Sequence, residues 1–198
     1  HFKNITPAIF LGQINELKTI KIQKNRIVIG SMVTYSDLQV VLPQYFPALG
    51  QYINQIGGDQ IRNVGTIGGN IANGSPIGDL APVLIALGTK MTLSSIVGSR
   101  KIDVEAFFKS YGCQDIKSDE FILNFEIPIP KRNDILLKVY KVSKRRYEDI
   151  STVSAAFYLQ PNENGVPRVR FSFGGMAGIP KRAPTLEKVF IEKLNSID

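Results

Sequence analysis

Between Ile61 and Pro82 the chain gathers the residue types from which a close-fitting ligand loop is built. Seven of the 17 glycines fall between Gly57 and Gly78, interleaved with Thr66, Asn70, Asn73, Ser75 and Asp79. Adjacent glycines such as Gly68 and Gly69 let a backbone turn sharply and approach a ligand, because no Cβ blocks the path. The short polar side chains beside them donate and accept hydrogen bonds at close range. No lysine follows the glycine pair. Such a segment suits a diphosphate, a ribose or a ring edge, and an ordinary tight turn draws on the same residues.

Other chemistry is thinly represented. The one cysteine, Cys113, has no internal disulfide partner, which fits a reducing compartment, and it reads as a buried or incidental thiol. The single histidine is His1, so no nucleophile–base pair or general acid–base constellation is visible, and no catalytic residue is expected. One Cys and one His cannot build a zinc site or hold an iron–sulfur cluster, so any metal chemistry belongs to a partner.

The net charge of +7 is unevenly placed. Residues 1–130 carry 11 basic and 10 acidic side chains, and residues 131–198 carry 13 and 7. The densest cluster is Lys141, Lys144, Arg145 and Arg146. No tryptophan and no aromatic stacking pattern accompany it, so nucleic acid is not the expected partner. An anionic cofactor or an acidic docking surface suits the cluster better, with a solvated basic face as the plain alternative. No apolar run reaches the roughly 18 residues that span a bilayer. No secretory h-region follows His1, and a cytoplasmic location is expected.

The elements that must position these residues follow from pattern. Arg26 to Ile29 is a short apolar strand. Thr34 to Asp37 has the form of a capping box and predicts a helix start, with Pro43 as its stop. A second helix is expected over Ala48 to Ile56, ending at Gly57 and Gly58. Asp79 to Leu87 predicts a helix stopped by Gly88, with Asp79 near the first turn, where the helix dipole favours an anion. Met91 to Leu93 and Arg100 to Val104 suit a hairpin turning at Val97 to Ser99, with a short helix over Val104 to Lys109. Phe121, Leu123, Phe125 and Ile127 alternate with Ile122, Asn124 and Glu126, which predicts a strand closed by Pro128 and Pro130. Beyond that boundary, Ile135 to Val142, Thr152 to Leu159 and Val166 to Phe173 predict an antiparallel meander, with a turn over Pro161 to Gly165. A last helix follows Pro184, with Leu186, Val189, Phe190 and Leu194 on one face. The fold class is α+β: a subdomain of mixed strands and helices, then an antiparallel sheet with a packed helix. The expected division is 1–25 as the tail of a preceding unit, 26–130 as the ligand-binding subdomain and 131–198 as a C-terminal domain.

The string from Asn63 to Pro82, N-V-x-T-I-G-G-N-I-x-x-x-S-P-I-x-D-L-x-P, resembles the flavin-binding segment of the xanthine dehydrogenase family of molybdenum hydroxylases. SFGGMAGIPKRAPTLE (172–187) and YKVSKRRYEDIS (140–151) resemble the small-subunit form of that family found in bacteria. The resemblance runs from about Arg26 to about Glu192 and implies FAD held between two subdomains. It implies that Thr66, Ile67, Gly68, Gly69 and Asn70 form the cofactor loop and that Asp79 accepts hydrogen bonds from the cofactor. Ile56 falls where the family often has Phe beside the flavin, which removes aromatic stacking there. Ile122 would touch the flavin from its strand, with simple core packing as the alternative. Lys141 falls on a cofactor-contacting lysine, with a solvent-facing strand lysine as the alternative. Arg145, Arg146, Glu148 and Asp149 resemble the charged segment governing nicotinamide access, with a surface ion-pair cluster as the alternative; Tyr147 departs from the charged residue common there.

The implied activity is electron transfer. A molybdenum-cofactor partner oxidises a purine, electrons pass through [2Fe–2S] centres to FAD, and NAD accepts them. Related hydroxylases of carbon monoxide, aldehydes or aromatic thioesters share the flavin motif. A second glycine-rich loop of the family, which holds the FAD diphosphate, has no counterpart in residues 1–25. The chain is therefore expected to be an interior or truncated piece, and a cofactor-free scaffold is the alternative.

Overall fold

A computed structural model of the 198-residue chain describes residues 9–130, 135–146, 148–162, 165–194 and 196. Among the described residues, seven α-helices and three antiparallel sheets, of five, four and two strands, make up the fold. The chain opens with two 3-10 turns and runs through β1 (Ile20–Gln23) and β2 (Arg26–Gly30) into α1 (Tyr35–Val41), α2 (Ala48–Asn54), α3 (Asp59–Val64), α4 (Ile67–Ala72) and α5 (Leu80–Leu87). It continues through β3 (Lys90–Ser95), β4 (Gly98–Asp103), α6 (Val104–Phe107), β5 (Phe108–Ser110), β6 (Cys113–Gln114) and β7 (Phe121–Pro128). Then come β8 (Leu136–Val142), β9 (Val153–Gln160), β10 (Arg168–Gly174), β11 (Lys181–Arg182) and α7 (Pro184–Leu194). The first sheet has the order β1-β2-β7-β3-β4, the second β11-β10-β9-β8, and β5 pairs with β6 alone. The α+β class and the C-terminal antiparallel meander expected from the sequence are both present.

β1 pairs along its whole length with β2, so the segment before Arg26 contributes the edge of the first sheet. Inward residues of this sheet meet across strands, with Ile27 opposite Ile127 and Ile29 opposite Phe125. The alternation expected along β7 breaks once. The register with β3 passes from Asn124 opposite Thr92 to Ile122 opposite Leu93, so Leu123 is an extra residue. A one-residue bulge turns the following side chain to the other face. Ile122 therefore shares the core with Phe125 and Ile127, rather than the outer face with Asn124 and Glu126.

Thr34 starts α1 with a complete capping box: its side chain accepts from Asp37 N–H, and the Asp37 carboxylate accepts from Thr34 N–H. α5 is apolar on all sides and all eight of its residues are buried. Such a helix needs protein on every face, and α5 packs on β9 and β10 of the second sheet and on β7 of the first. It ends at Gly88 in the left-handed region, φ 70°. Arg170 of β10 donates from Nε and Nη2 to the Ile85 carbonyl at 3.0 and 2.7 Å, and Gly175 N–H donates to the Pro76 carbonyl at 2.7 Å. These bonds fasten the second sheet to the first half of the chain.

α7 departs from expectation. Leu186, Val189, Phe190 and Leu194 remain 36–45% exposed, and the buried residue of the helix is Glu187. Its carboxylate accepts from Phe171 N–H at 2.8 Å and pairs with Arg182, so polar docking rather than an apolar stripe seats the helix. Phe190 does make an edge contact with Phe171. Cys113 is exposed and unpaired, not buried. The expected turn over Pro161 to Gly165 lies partly outside the described residues. Among the described residues, no helix is long and apolar enough to cross a membrane, and no group of three or more His, Cys, Asp and Glu gathers as for a metal.

Candidate functional site

The glycine-rich stretch is not an open loop. Its first part folds into two short helices, α3 and α4, joined at Gly65 and Thr66, and residues 73–79 are turns that lead into α5. Thr66 is the N-cap of α4, its hydroxyl oxygen accepting from Gly69 N–H at 3.1 Å. The helix is moored by Ile67 N–H to the Val33 carbonyl (3.0 Å) and Gly68 N–H to the Ser31 carbonyl (2.8 Å). The first-turn amides are thus committed within the protein. The Thr66 hydroxyl hydrogen and the Asn70 side chain remain as polar groups with capacity to spare.

The two adjacent glycines do different work. A Cβ on Gly68 would lie 2.6 Å from the Ser31 carbonyl oxygen, so Gly68 serves packing. Gly69 is exposed and its nearest obstacle is Thr66 Oγ1 at 3.1 Å, so Gly69 offers bare backbone at the surface. Ile67 is fully buried. Asn70 lies beside the Tyr35 hydroxyl, and its Oδ1 is buried with no hydrogen-bond partner. An unmet buried acceptor costs about 1–3 kcal/mol, and a ligand donor would satisfy it.

Asp79 sits at the N-cap position of α5 but makes no capping bond. Its carboxylate turns instead towards the second sheet, where Oδ2 accepts from Lys141 Nζ at 2.8 Å and Oδ1 accepts from the Ser151 hydroxyl. The side chains of Lys141 and Asp79 are only 5% and 11% exposed. Lys141 is therefore no solvent-facing strand residue. The Asp79 backbone carbonyl accepts from the Tyr52 hydroxyl at 2.8 Å. Burial pushes the Tyr35 and Tyr52 hydroxyls above their ordinary range, and the Asp79 carboxylate pushes them further.

Lys141 also lines a groove of about 640 Å³ between the α2 end, at Asn54 and Gln55, and the basic stretch Lys144 to Arg146. Thr66, Gly69 and Asn70 do not line that groove. Within the basic stretch, Arg145 pairs with Asp149 at 3.1 Å, and Asp149 also accepts from Arg145 N–H at 2.8 Å. The Arg145 side chain and then its N–H hold the Asp149 carboxyl below its usual range. Glu148 has a positive φ of 50°, and its carboxylate packs against Gly58. Tyr147 lies outside the described residues.

The structure brings Asp79 and Lys141, 62 residues apart, into one ion pair, and it places Asn70 near Gly78 and Tyr35. Ile56 and Ile122 are placed in the hydrophobic core, 6% and 4% exposed, where their side chains pack. Tyr52 reads from the sequence as a helix aromatic and Ser151, the last residue of the 140–151 string, as a loop serine, so neither is singled out there. A threonine hydroxyl, an amide and a stretch of bare backbone on α4, with a carboxylate and an ammonium group paired beside the groove, supply donors and acceptors of the kinds that the ring edge and the polar chain of a flavin nucleotide can use.

Residues 1–130 match the family described as the FAD binding domain in molybdopterin dehydrogenase, and residues 138–196 match the CO dehydrogenase flavoprotein C-terminal domain. Xanthine dehydrogenase of Emericella nidulans is 32% identical over 192 residues, covering 91% of this chain and 14% of that protein. Glyceraldehyde dehydrogenase medium chain of Sulfolobus acidocaldarius is 33% identical over 188 residues, covering 93% of this chain and 66% of that one. Among solved structures, a chain of reconstituted CO dehydrogenase from Oligotropha carboxidovorans superposes with a TM-score of 0.80 at 26% identity, over 88% of this chain and 61% of that one. The chain thus spans less than two thirds of the length of these relatives.

Proposed function

The chain belongs to the family of FAD-binding domains of molybdenum hydroxylases, and from that premise we propose that it is the electron-transfer module of a xanthine dehydrogenase-like oxidoreductase. In this reading the assembly oxidises a purine at a molybdenum centre in a partner, in the cytoplasm. Electrons leave through [2Fe–2S] centres, and NAD is the final acceptor. FAD, when bound, supplies the exchange between one-electron donors and a two-electron hydride acceptor. The residues assigned to it are Thr66 to Asn70, Asp79 and Lys141, with Ile56 and Ile122 as the packed floor beneath. Within that set, the Thr66 hydroxyl and Asn70 amide orient polar groups, Gly69 permits close approach, and the Lys141 ammonium supplies fixed positive charge. Arg145 and Asp149 hold the basic stretch over the groove, which we assign to acceptor access. Residues 26–130 then act as the cofactor subdomain and 131–198 as the domain that contributes Lys141. A nicotinamide acceptor and a purine substrate are the finer part of the proposal and rest on the residue strings around Lys141 and Ser172.

The observation that carries this reading is the buried Asp79–Lys141 pair. Two charges withdrawn from water are costly unless they are closely paired and further hydrogen-bonded, and this pair joins the start of α5 to β8 of the second sheet. Here Lys141 lines the basic groove, and Gly78, next to Asp79 in the chain, lies beside Asn70 of α4. The test is an absorbance and fluorescence titration of the purified chain with FAD. Saturable binding with quenched fluorescence is expected, weakened about fivefold or more in Asn70→Ala, which removes one hydrogen-bonding side chain. No binding at high micromolar FAD would make this chain a scaffold whose cofactor site needs residues from elsewhere.

A further inference from the structure

Ser151 is 2% exposed and lies just before β9, at the end of the 140–151 string, with no cofactor role assigned to it above. A hydroxyl buried this deeply is costly without a partner, and its partner is Asp79 Oδ1. A carboxylate held by one lysine alone can still swing about its final torsion, since the ammonium group carries three equivalent donors. A second donor on the other oxygen fixes the carboxylate plane, and with it the place of the lysine. Lys141 and Ser151 also flank one loop. Thr152 N–H donates to the Val142 carbonyl at 2.8 Å, closing its base. The loop carrying Arg145 and Asp149 thus leaves and returns beside Asp79.

We propose that Ser151 is a positioning residue: its hydroxyl orients the Asp79 carboxylate so that Lys141 is held at the edge of the groove, and this sets the affinity and reduction potential of the bound flavin. The inference rests on the flavin reading above, but the arrangement of the three side chains does not. Tyr52 supports it from the backbone side by fixing the Asp79 carbonyl. Replacing the serine frees the carboxylate to rotate, and the ammonium group follows it.

The experiment uses the full chain with FAD, comparing wild type, Ser151→Ala, Ser151→Thr and Ser151→Cys, each also in an Asp79→Asn background. Ser151→Ala is expected to bind FAD about tenfold more weakly, which is about 1.4 kcal/mol of coupling between the positioning bond and cofactor binding. Its flavin potential should fall, measured by equilibration with a redox dye, because the positive charge near the reduced cofactor is less well placed. Ser151→Thr, which keeps the hydroxyl, should restore both values. Ser151→Cys, close in size but a weak donor, should not. In the Asp79→Asn background, Ser151→Ala should add much less. Wild-type affinity and potential in both Ser151→Ala and Ser151→Cys would overturn the proposal, as would an undiminished effect beside Asp79→Asn. Acylation of Lys141 in the FAD-free chain, read by mass spectrometry, gives a readout independent of the cofactor. Faster labelling of Lys141 in Ser151→Ala and Ser151→Cys than in wild type is expected, and unchanged labelling counts against positioning. If wild type binds no FAD, the flavin reading fails while the labelling comparison still decides whether Ser151 places Lys141.

Discussion

Asp79 receives donors from both ends of a single loop, Lys141 from the strand before it and Ser151 from the chain after it. This makes Asp79 a joint between halves of the chain as well as a candidate ligand residue, and the two roles can be separated. Asp79→Ala leaves the Lys141 ammonium buried without its partner, and loss of one member of a buried pair costs about 3–5 kcal/mol. Urea denaturation should show that loss. Asp79→Leu combined with Lys141→Met replaces both charges with apolar groups and should recover most of the stability. The double variant should still bind FAD far more weakly than wild type. Recovered stability together with wild-type affinity would show the pair to be purely structural. The sequence made Asp79 and Lys141 candidates one by one. Their contact needed the fold, because no local pattern links residues 62 apart.

At the scale of elements, the glycine segment is a helix cap rather than a flexible loop. Thr66 with Gly69 N–H makes the cap, and the antiparallel bridge of Thr34 with Thr66 fixes its entry. Gly68 and Gly69 then give different predictions. Gly68→Ala drives a methyl group into the Ser31 carbonyl, 2.6 Å from the ideal Cβ, and should destabilise the fold by about 1–3 kcal/mol. Gly69→Ala meets only the Thr66 hydroxyl oxygen, 3.1 Å from the ideal Cβ, and alanine is a better helix former by about 1 kcal/mol, so the two effects offset and the melting temperature should change little. If flavin approaches this backbone, Gly69→Ala will nonetheless weaken FAD binding; thermal melts with and without FAD separate the two effects. The helices and strands themselves were largely legible: the box at Thr34 to Asp37, the stop at Gly88 and the three-strand meander all appear. α7 was misleading because an apolar stripe is only an offer of a face, and here Glu187 with Arg182 makes the buried contact.

Over the whole molecule, stability should depend on acid through Arg100. This β4 residue donates to Glu120 at 2.7 Å and to Asp115 at 3.3 Å, tying the segment that leads into β7. Hydrogen bonds from Arg100, then from Lys117 N–H, lower the Glu120 carboxyl from 4.5 to about 2. A carboxyl lowered on folding contributes stability above its unfolded value, and that contribution is lost as pH falls through the folded value. The melting temperature should therefore drop between about pH 4.5 and 2, and Glu120→Gln should flatten the drop. An identical acid profile in that variant would place the sensitivity elsewhere, with Asp115 and Asp149, also held low by arginines, as the remaining candidates.

The sequence by itself determined the α+β class, most element positions and the flavin family, because these rest on short-range pattern: caps, alternation, glycine spacing and a contiguous motif. Tertiary structure decided which residues can act. α5, apolar on every side, had to be enclosed by both larger sheets, and that enclosure brings the second sheet against the N-terminal end of the helix. Asp79 at that end thereby meets Lys141 and Ser151, while one bulge at Leu123 sends Ile122 into the core. Burial and register depend on what lies across the core, and a one-dimensional pattern does not contain its own opposite face.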